Sequence, residues 1–136
     1  MAGYSGTPLT KKIGIKSGDR LLFCNEPAEF RKILGALPEG TTVSRTVKGP
    51  VNVAILFADR QAHLEKNLRP LARTLEQNGM LWVGWPKKTS GVPTDLNESI
   101  VREVGLANGL VDTKVCAIDE TWSGLRFVIR LKDRKS

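Results

Sequence analysis

The chain contains one histidine, His63, and two cysteines, Cys24 and Cys116, among 136 residues. A lone imidazole speaks against a metal centre and against a serine–histidine–acid triad, and no metal ligand set is expected. Both cysteines sit in apolar runs without metal-ligand spacing, so they read as reduced core thiols of a cytoplasmic protein. No run of 18 apolar residues is present, which excludes a membrane-spanning helix. The opening "MAGYSGTPLTKK" lacks the apolar core of a secretory signal. Aromatic residues are few, three Trp, one Tyr and four Phe, and no glycine–aromatic motif for stacking single strands occurs. The glycine spacing of a phosphate-binding loop is absent, and "TWSGL" is no nucleophile elbow because its turn joins two strands. No catalytic residue is assigned.

What the chain has in excess is positive charge: 21 Lys and Arg against 14 Asp and Glu, a net charge of +7. Lys11, Lys12, Lys16 and Arg20 crowd one end, and Arg126, Arg130, Lys132, Arg134 and Lys135 the other. The two groups either form a polyanion patch, if the ends meet in space, or remain solvated ends. Nucleic acid as a partner rests on this charge alone. At 40% hydrophobic and 26% charged residues, the composition is that of one soluble globular domain spanning 1–136.

Along the chain, apolar strands alternate with helical stripes. "RLLFCN" (20–25) reads as a buried strand. "PAEFRKILGALPEG" follows as a helix with Phe30, Ile33, Leu34 and Leu37 on one face. "TVSRTV" (42–47) reads as a half-exposed strand, and "VNVAILFA" (51–58) as a second buried one. Asp59 stands where an N-cap belongs. Leu64, Leu68, Leu71 and Leu75 make a helical stripe that Pro70 should break or kink and that Asn78-Gly79 should end. "MLWVGW" (80–85) is the third buried strand. Asp95 with Glu98 resembles a capping pair for a helix bearing Ile100, Val101, Val104 and Ala107, closed by Gly109. "KVCAID" and "LRFVIRLK" then form a hairpin with Gly124 at its turn, its last strand carrying Leu125, Phe127, Ile129 and Leu131 on one face.

This alternation implies an α/β fold: a three-layer, Rossmann-like domain with a mostly parallel sheet and a C-terminal antiparallel hairpin. Ligands of such sheets sit beyond the carboxyl ends of the strands. That edge should collect Asn25, Glu26, Asp59, the loop "PKKTSG" (86–91) and the hairpin turn, including Asp119, Glu120, Trp122, Ser123 and Arg126. Lys87 and Lys88 beside Ser90 suit an anion, or else form a solvated loop. Trp82 and Trp85, three apart on a strand, face opposite sides, and one or both belong to the core. Trp122 either stacks on a ligand or partner or packs on its own domain. The candidate ligand-binding residues are therefore Asn25, Asp59, Lys87, Lys88, Ser90, Trp122, Ser123 and Arg126.

Three phrases resemble the S-adenosylmethionine-dependent methyltransferases in shortened form. "GIKSGDRLLF" (14–23) is similar to the entry into that family's first strand, and "LEQNGMLWV" (75–83) to the turn before its fifth. "VCAIDETWSGLRFVIRL" (115–131) is similar to its terminal hairpin. The resemblance implies a cofactor site, yet the turn after the first strand, 24–29, has no glycine, and the second strand ends near Arg45 without a carboxylate. Both departures speak against S-adenosylmethionine, and no cofactor is expected. "GYSGTPLTKKIGIK" (3–16), "WPKKTSG" (85–91) and "VCAIDETWSGLRFVIRLKDR" also resemble a family of short bacterial proteins of unknown function. The expectation is a non-catalytic binding module for an anionic ligand or a protein partner. The alternatives are a divergent methyltransferase or a homo-oligomeric structural protein.

Overall fold

The computed structural model describes residues 8–134; residues 3–7 of the opening phrase and Lys135 lie outside them. In chain order the elements are α1 (Leu9–Ile13), β1 (Arg20–Cys24), α2 (Phe30–Leu34), β2 (Thr42–Ser44), β3 (Val51–Phe57), α3 (Gln61–Ala72) and β4 (Leu75–Pro86). A single 3-10 turn, Lys88–Ser90, precedes α4 (Glu98–Ala107), β5 (Leu110–Ala117) and β6 (Trp122–Ile129). A second such turn, Leu131–Asp133, follows β6.

The strands form one six-stranded sheet in the order β2-β1-β3-β4-β6-β5. β2, β1, β3 and β4 pair in parallel, and β6 runs antiparallel to both β4 and β5. Inserting β6 between β4 and β5 leaves β5 parallel to the rest, so the hairpin turn falls on the carboxyl edge as expected. The central strands are apolar on both sides because both faces are covered: in β3 only Asn52 escapes full burial. On one face α3 and α4 lay Leu64, Leu68, Leu71, Val101 and Val104 over Leu56, Leu81, Val83 and Phe127. On the other, α1 and α2 lay Ile13, Phe30 and Leu34 over Phe23, Ile55, Phe57 and Trp82. Trp82 and Trp85 enter opposite cores, as their spacing requires.

Several local expectations are corrected. The helix after β1 is one short segment, stopped by Gly35 in the left-handed region at φ 77°, and Ile33 is 42% exposed. β2 is three residues long. Pro70 does not end α3 at the preceding residue; it lies in the last turn, and the helix runs on to Ala72. β4 then begins at Leu75, ahead of Asn78-Gly79, with a register irregularity opposite Val51 and Val53. Gly79 is not a left-handed helix terminator; its Cα packs against the Val51 and Asn52 carbonyls, where a Cβ would sit 3.0–3.2 Å away. Gly124 lies inside β6 opposite Gly84 and Cys116 rather than at the turn. The turn is made instead by the Asp119 carboxylate, which accepts from the Thr121 and Trp122 amides at 2.8 and 2.7 Å. Leu131 has left the strand and is 79% exposed.

The caps are also exchanged. Asp59 does not cap α3; the first residue before that helix is Arg60, and the Gln61 amide donates to Asp95 at 2.7 Å. α4 is capped by Asn97, whose side chain accepts from the Ile100 amide at 2.9 Å. Asn97→Ala is expected to lower stability by about 1 kcal/mol, read as a lower denaturant midpoint with an unchanged slope.

Candidate functional site

The strand order turns back at β1: the chain moves outward to β2 and then returns to the other side of β1 with β3. Such a reversal opens a crevice beyond the carboxyl ends of the two strands. At the carboxyl end of β1 stand the residues that follow it. Asn25 adopts φ 59°, a left-handed turn without glycine, which asparagine tolerates through its short polar side chain. Its amide Nδ2 donates to the Phe57 carbonyl at 3.0 Å and ties the ends of β1 and β3 together. Glu26 then reaches sideways to Arg45, beyond the end of β2, at 2.6 Å. The Glu26 side chain is only 11% exposed whereas that of Arg45 is 58% exposed. A carboxylate therefore does stand at the end of β2, delivered from the β1 turn.

Asp59 follows β3 and is exposed; its carbonyl accepts from the Thr94 hydroxyl at 2.6 Å. With the Gln61–Asp95 bond, this straps the loop after the 3-10 turn across the start of α3. Trp122 is half-buried and meets Phe57 edge-on, ring centroids 5.1 Å apart, so much of it packs on its own domain. Its remaining surface lines a groove with Pro27, Glu29, Ile33 and Glu120.

The second part of the edge lies beyond β4 and β6. Lys87, Lys88 and Ser123 line a cleft of about 390 Å³ together with Asp95, Asn97 and Glu98. Lys88 is exposed and Lys87 half-exposed, its amide donating to the Thr121 carbonyl at 2.7 Å. Ser90 is consumed by its own loop: its hydroxyl donates to the Lys87 carbonyl at 2.7 Å and accepts from the Val92 amide at 3.2 Å. Arg126 does not reach the edge. It lies opposite Trp82, four residues along β6 from Trp122, and its Nε donates to the Thr113 hydroxyl at 2.8 Å. An ion pair of Arg126 with Asp119 or Glu120 is accordingly not formed. The structure thus gathers Asn25 and Asp59 over β1 and β3, and Lys87, Lys88 and Ser123 around a neighbouring cleft.

Burial raises the thiol pKa of both cysteines. For Cys24 the nearby Glu26 carboxylate adds to the effect, and for Cys116 it outweighs the opposing pull of Lys114, Lys12 and Arg126. Neither is an activated nucleophile. Among the described residues no group of His, Cys, Asp and Glu could hold a metal ion, and no helix is long and apolar enough to cross a membrane.

No protein-family profile and no curated protein matches the sequence. Solved structures do match the fold. An S-adenosylmethionine-dependent methyltransferase from Aquifex aeolicus is similar over 90% of this chain and 88% of its own, with a TM-score of 0.67 at 16% identity. Magnesium protoporphyrin IX methyltransferase from Synechocystis with bound S-adenosylmethionine covers 90% of this chain and 74% of its own, with a TM-score of 0.57 at 9% identity. A putative methyltransferase from Thermoplasma acidophilum covers 92% and 75%, also with a TM-score of 0.57 at 9% identity.

The fold is methyltransferase-like.

This overturns the expectation against S-adenosylmethionine. Chains with this architecture are solved with that cofactor and with S-adenosylhomocysteine bound. At the two positions where the sequence departs from that family, the β1 turn has Asn25 at φ 59° and no glycine, and the Glu26 carboxylate stands beside the end of β2, paired with Arg45. Glu26 was legible at this edge, but nothing in the sequence says that it turns towards Arg45.

Proposed function

We propose that this domain binds S-adenosylmethionine or S-adenosylhomocysteine in the crevice over β1 and β3, as a divergent methyltransferase-like domain. The observation that carries the reading is the β1 turn: Asn25 at φ 59° followed by the nearly buried Glu26 carboxylate beside β2. The donor set fits an adenosyl ligand. Glu26 offers a charged acceptor for ribose hydroxyls, the Asn25 turn lets the backbone approach, and the exposed Asp59 carboxylate suits a cationic ammonium. When bound, S-adenosylmethionine would supply an electrophilic methyl group on a sulfonium centre. The cleft lined by Lys87, Lys88, Asp95 and Ser123 on the same edge leaves space for a second molecule.

Binding of an anionic ligand alone at Lys87 and Lys88 is the weaker reading. The same cleft carries the carboxylates of Asp95 and Glu98, and the Ser90 hydroxyl is already taken. The test is thermal unfolding of the full chain with each adenosyl ligand, beside a panel of phosphorylated metabolites. A ligand at a hundredfold its Kd adds about 2.7 kcal/mol, a rise of several degrees for a domain of this size. The expected result is a rise with S-adenosylhomocysteine or S-adenosylmethionine. A rise with phosphates alone, lost in the Lys87→Ala/Lys88→Ala double variant, would replace this reading with the anion site.

A further inference from the structure

The cleft beyond β4 and β6 combines an apolar wall with free cationic groups. At about 390 Å³ it falls within the roughly 300–1,000 Å³ of small-molecule pockets. Trp85, Pro86 and Leu96, all buried, make the apolar part of its lining. Ser123, opposite Trp85 in the β4–β6 register, adds a hydroxyl, and Lys87 and Lys88 follow directly on Pro86.

The polar groups of this lining divide into engaged and free. Asp95 accepts from the Gln61 amide at 2.7 Å, and Glu98 is paired with Arg102. The Asn97 side chain caps α4, and the Thr94 hydroxyl donates to the Asp59 carbonyl. Among the described residues, the Lys87 and Lys88 ammonium groups and the Ser123 hydroxyl make no hydrogen bond or ion pair. With Glu98 neutralised by Arg102, two free ammonium groups stand against the one carboxylate of Asp95. The ten-residue α4 begins in the same wall and adds the partial positive charge of its amino end. A single carboxylate balances that surplus, whereas a phosphate dianion brings a second negative charge up to Asp95.

We propose, resting on the adenosyl reading above for the first molecule, that this cleft binds the second: a small apolar compound bearing one carboxylate. Lys87, Lys88 and the Ser123 hydroxyl hold the carboxylate, and the apolar body lies along Trp85, Pro86 and Leu96. An inorganic anion satisfies only the cationic half of the cleft, and an uncharged ring only the apolar half.

The experiment is isothermal titration of the full chain, with and without saturating S-adenosylhomocysteine. The probes are indole-3-acetate and 4-phenylbutyrate, each beside its neutral amide. Each carboxylate is expected to bind at least about 10-fold more tightly than its amide, the difference between a charge-assisted and a neutral hydrogen bond. Acetate and inorganic phosphate leave the apolar wall uncovered and should bind at least about 10-fold more weakly than the ring carboxylates. These comparisons use the unaltered chain and need no variant to fold. Lys87→Ala/Lys88→Ala should bring the carboxylates down to the affinity of the amides and leave the amides unchanged. Lys32→Ala/Lys66→Ala, on α2 and α3, removes the same charge and should preserve the preference. Equal affinity for carboxylate and amide, a match by phosphate, equal losses in the two lysine pairs, or no binding of any probe would each overturn the proposal. S-adenosylhomocysteine titrated into the same preparation keeps two failures apart. Its binding without a carboxylate preference sinks the cleft proposal and spares the adenosyl reading; a carboxylate preference without its binding does the reverse.

Discussion

Trp82→Ala is expected to destabilise the domain by about 3–5 kcal/mol from lost burial and the cavity left behind, the largest single effect foreseen. Trp82 is fully buried in the core under α1 and α2, and its indole N–H donates to the Ile13 carbonyl at 2.9 Å. α1 has five residues, too few to hold itself by helix formation. Its attachment includes the packing of Ile13 and Leu9, that hydrogen bond, and the Lys114 contact to the Lys12 carbonyl. Truncation thus removes an anchor as well as volume. Trp82→Phe separates the two: it retains most of the packing but leaves the Ile13 carbonyl unpaired, at a cost of about 1–3 kcal/mol. Denaturant midpoints should fall in the order wild type, Trp82→Phe, Trp82→Ala. A Trp82→Phe variant as stable as wild type would show that the indole hydrogen bond does not hold α1.

The architecture was legible because burial on both faces writes itself into composition. β3 and the second half of β4 are runs of apolar residues, and α3 and α4 carry clean stripes, so alternation alone gave the layers. What was not legible depends on contacts between distant segments. The cap of α3 comes from Asp95, 34 residues away, while Asp59, at the expected position, leaves its carbonyl to Thr94. The hairpin turn was misplaced because Gly124 looks like a turn residue, but it serves close packing under Ile118 and Trp82, where a Cβ would meet atoms at 3.1 Å. Asn25, Asp59, Lys87, Lys88 and Ser123 lie towards the carboxyl edge, where strand direction alone puts them. Arg126 does not, because a turn shifted from Gly124 to 118–121 moves it four residues down the strand. The left-handed residue of the β1 turn was not legible either, because it is an asparagine and not a glycine.

Glu26→Gln is expected to weaken S-adenosylhomocysteine binding about 10-fold, because a hydrogen bond to a charged group contributes about 1.5–3 kcal/mol against 0.5–1.5 for a neutral one. The side chain keeps its size, so stability should hardly move. Its ion pair with Arg45 contributes at most about 1 kcal/mol, since the guanidinium is 58% exposed and screened by solvent. The same weakness means that Arg45 competes only mildly with a ligand for the carboxylate. Arg45→Ala should therefore leave affinity unchanged or raise it by up to about 5-fold, the reverse of the effect at Glu26. Isothermal titration of the two variants reads both signs directly. Equal losses from Glu26→Gln and Arg45→Ala would show that the pair acts as a clamp on the β1 turn. In that case the ligand's hydroxyls find their acceptor elsewhere on the edge, and Asp59 becomes the next residue to change.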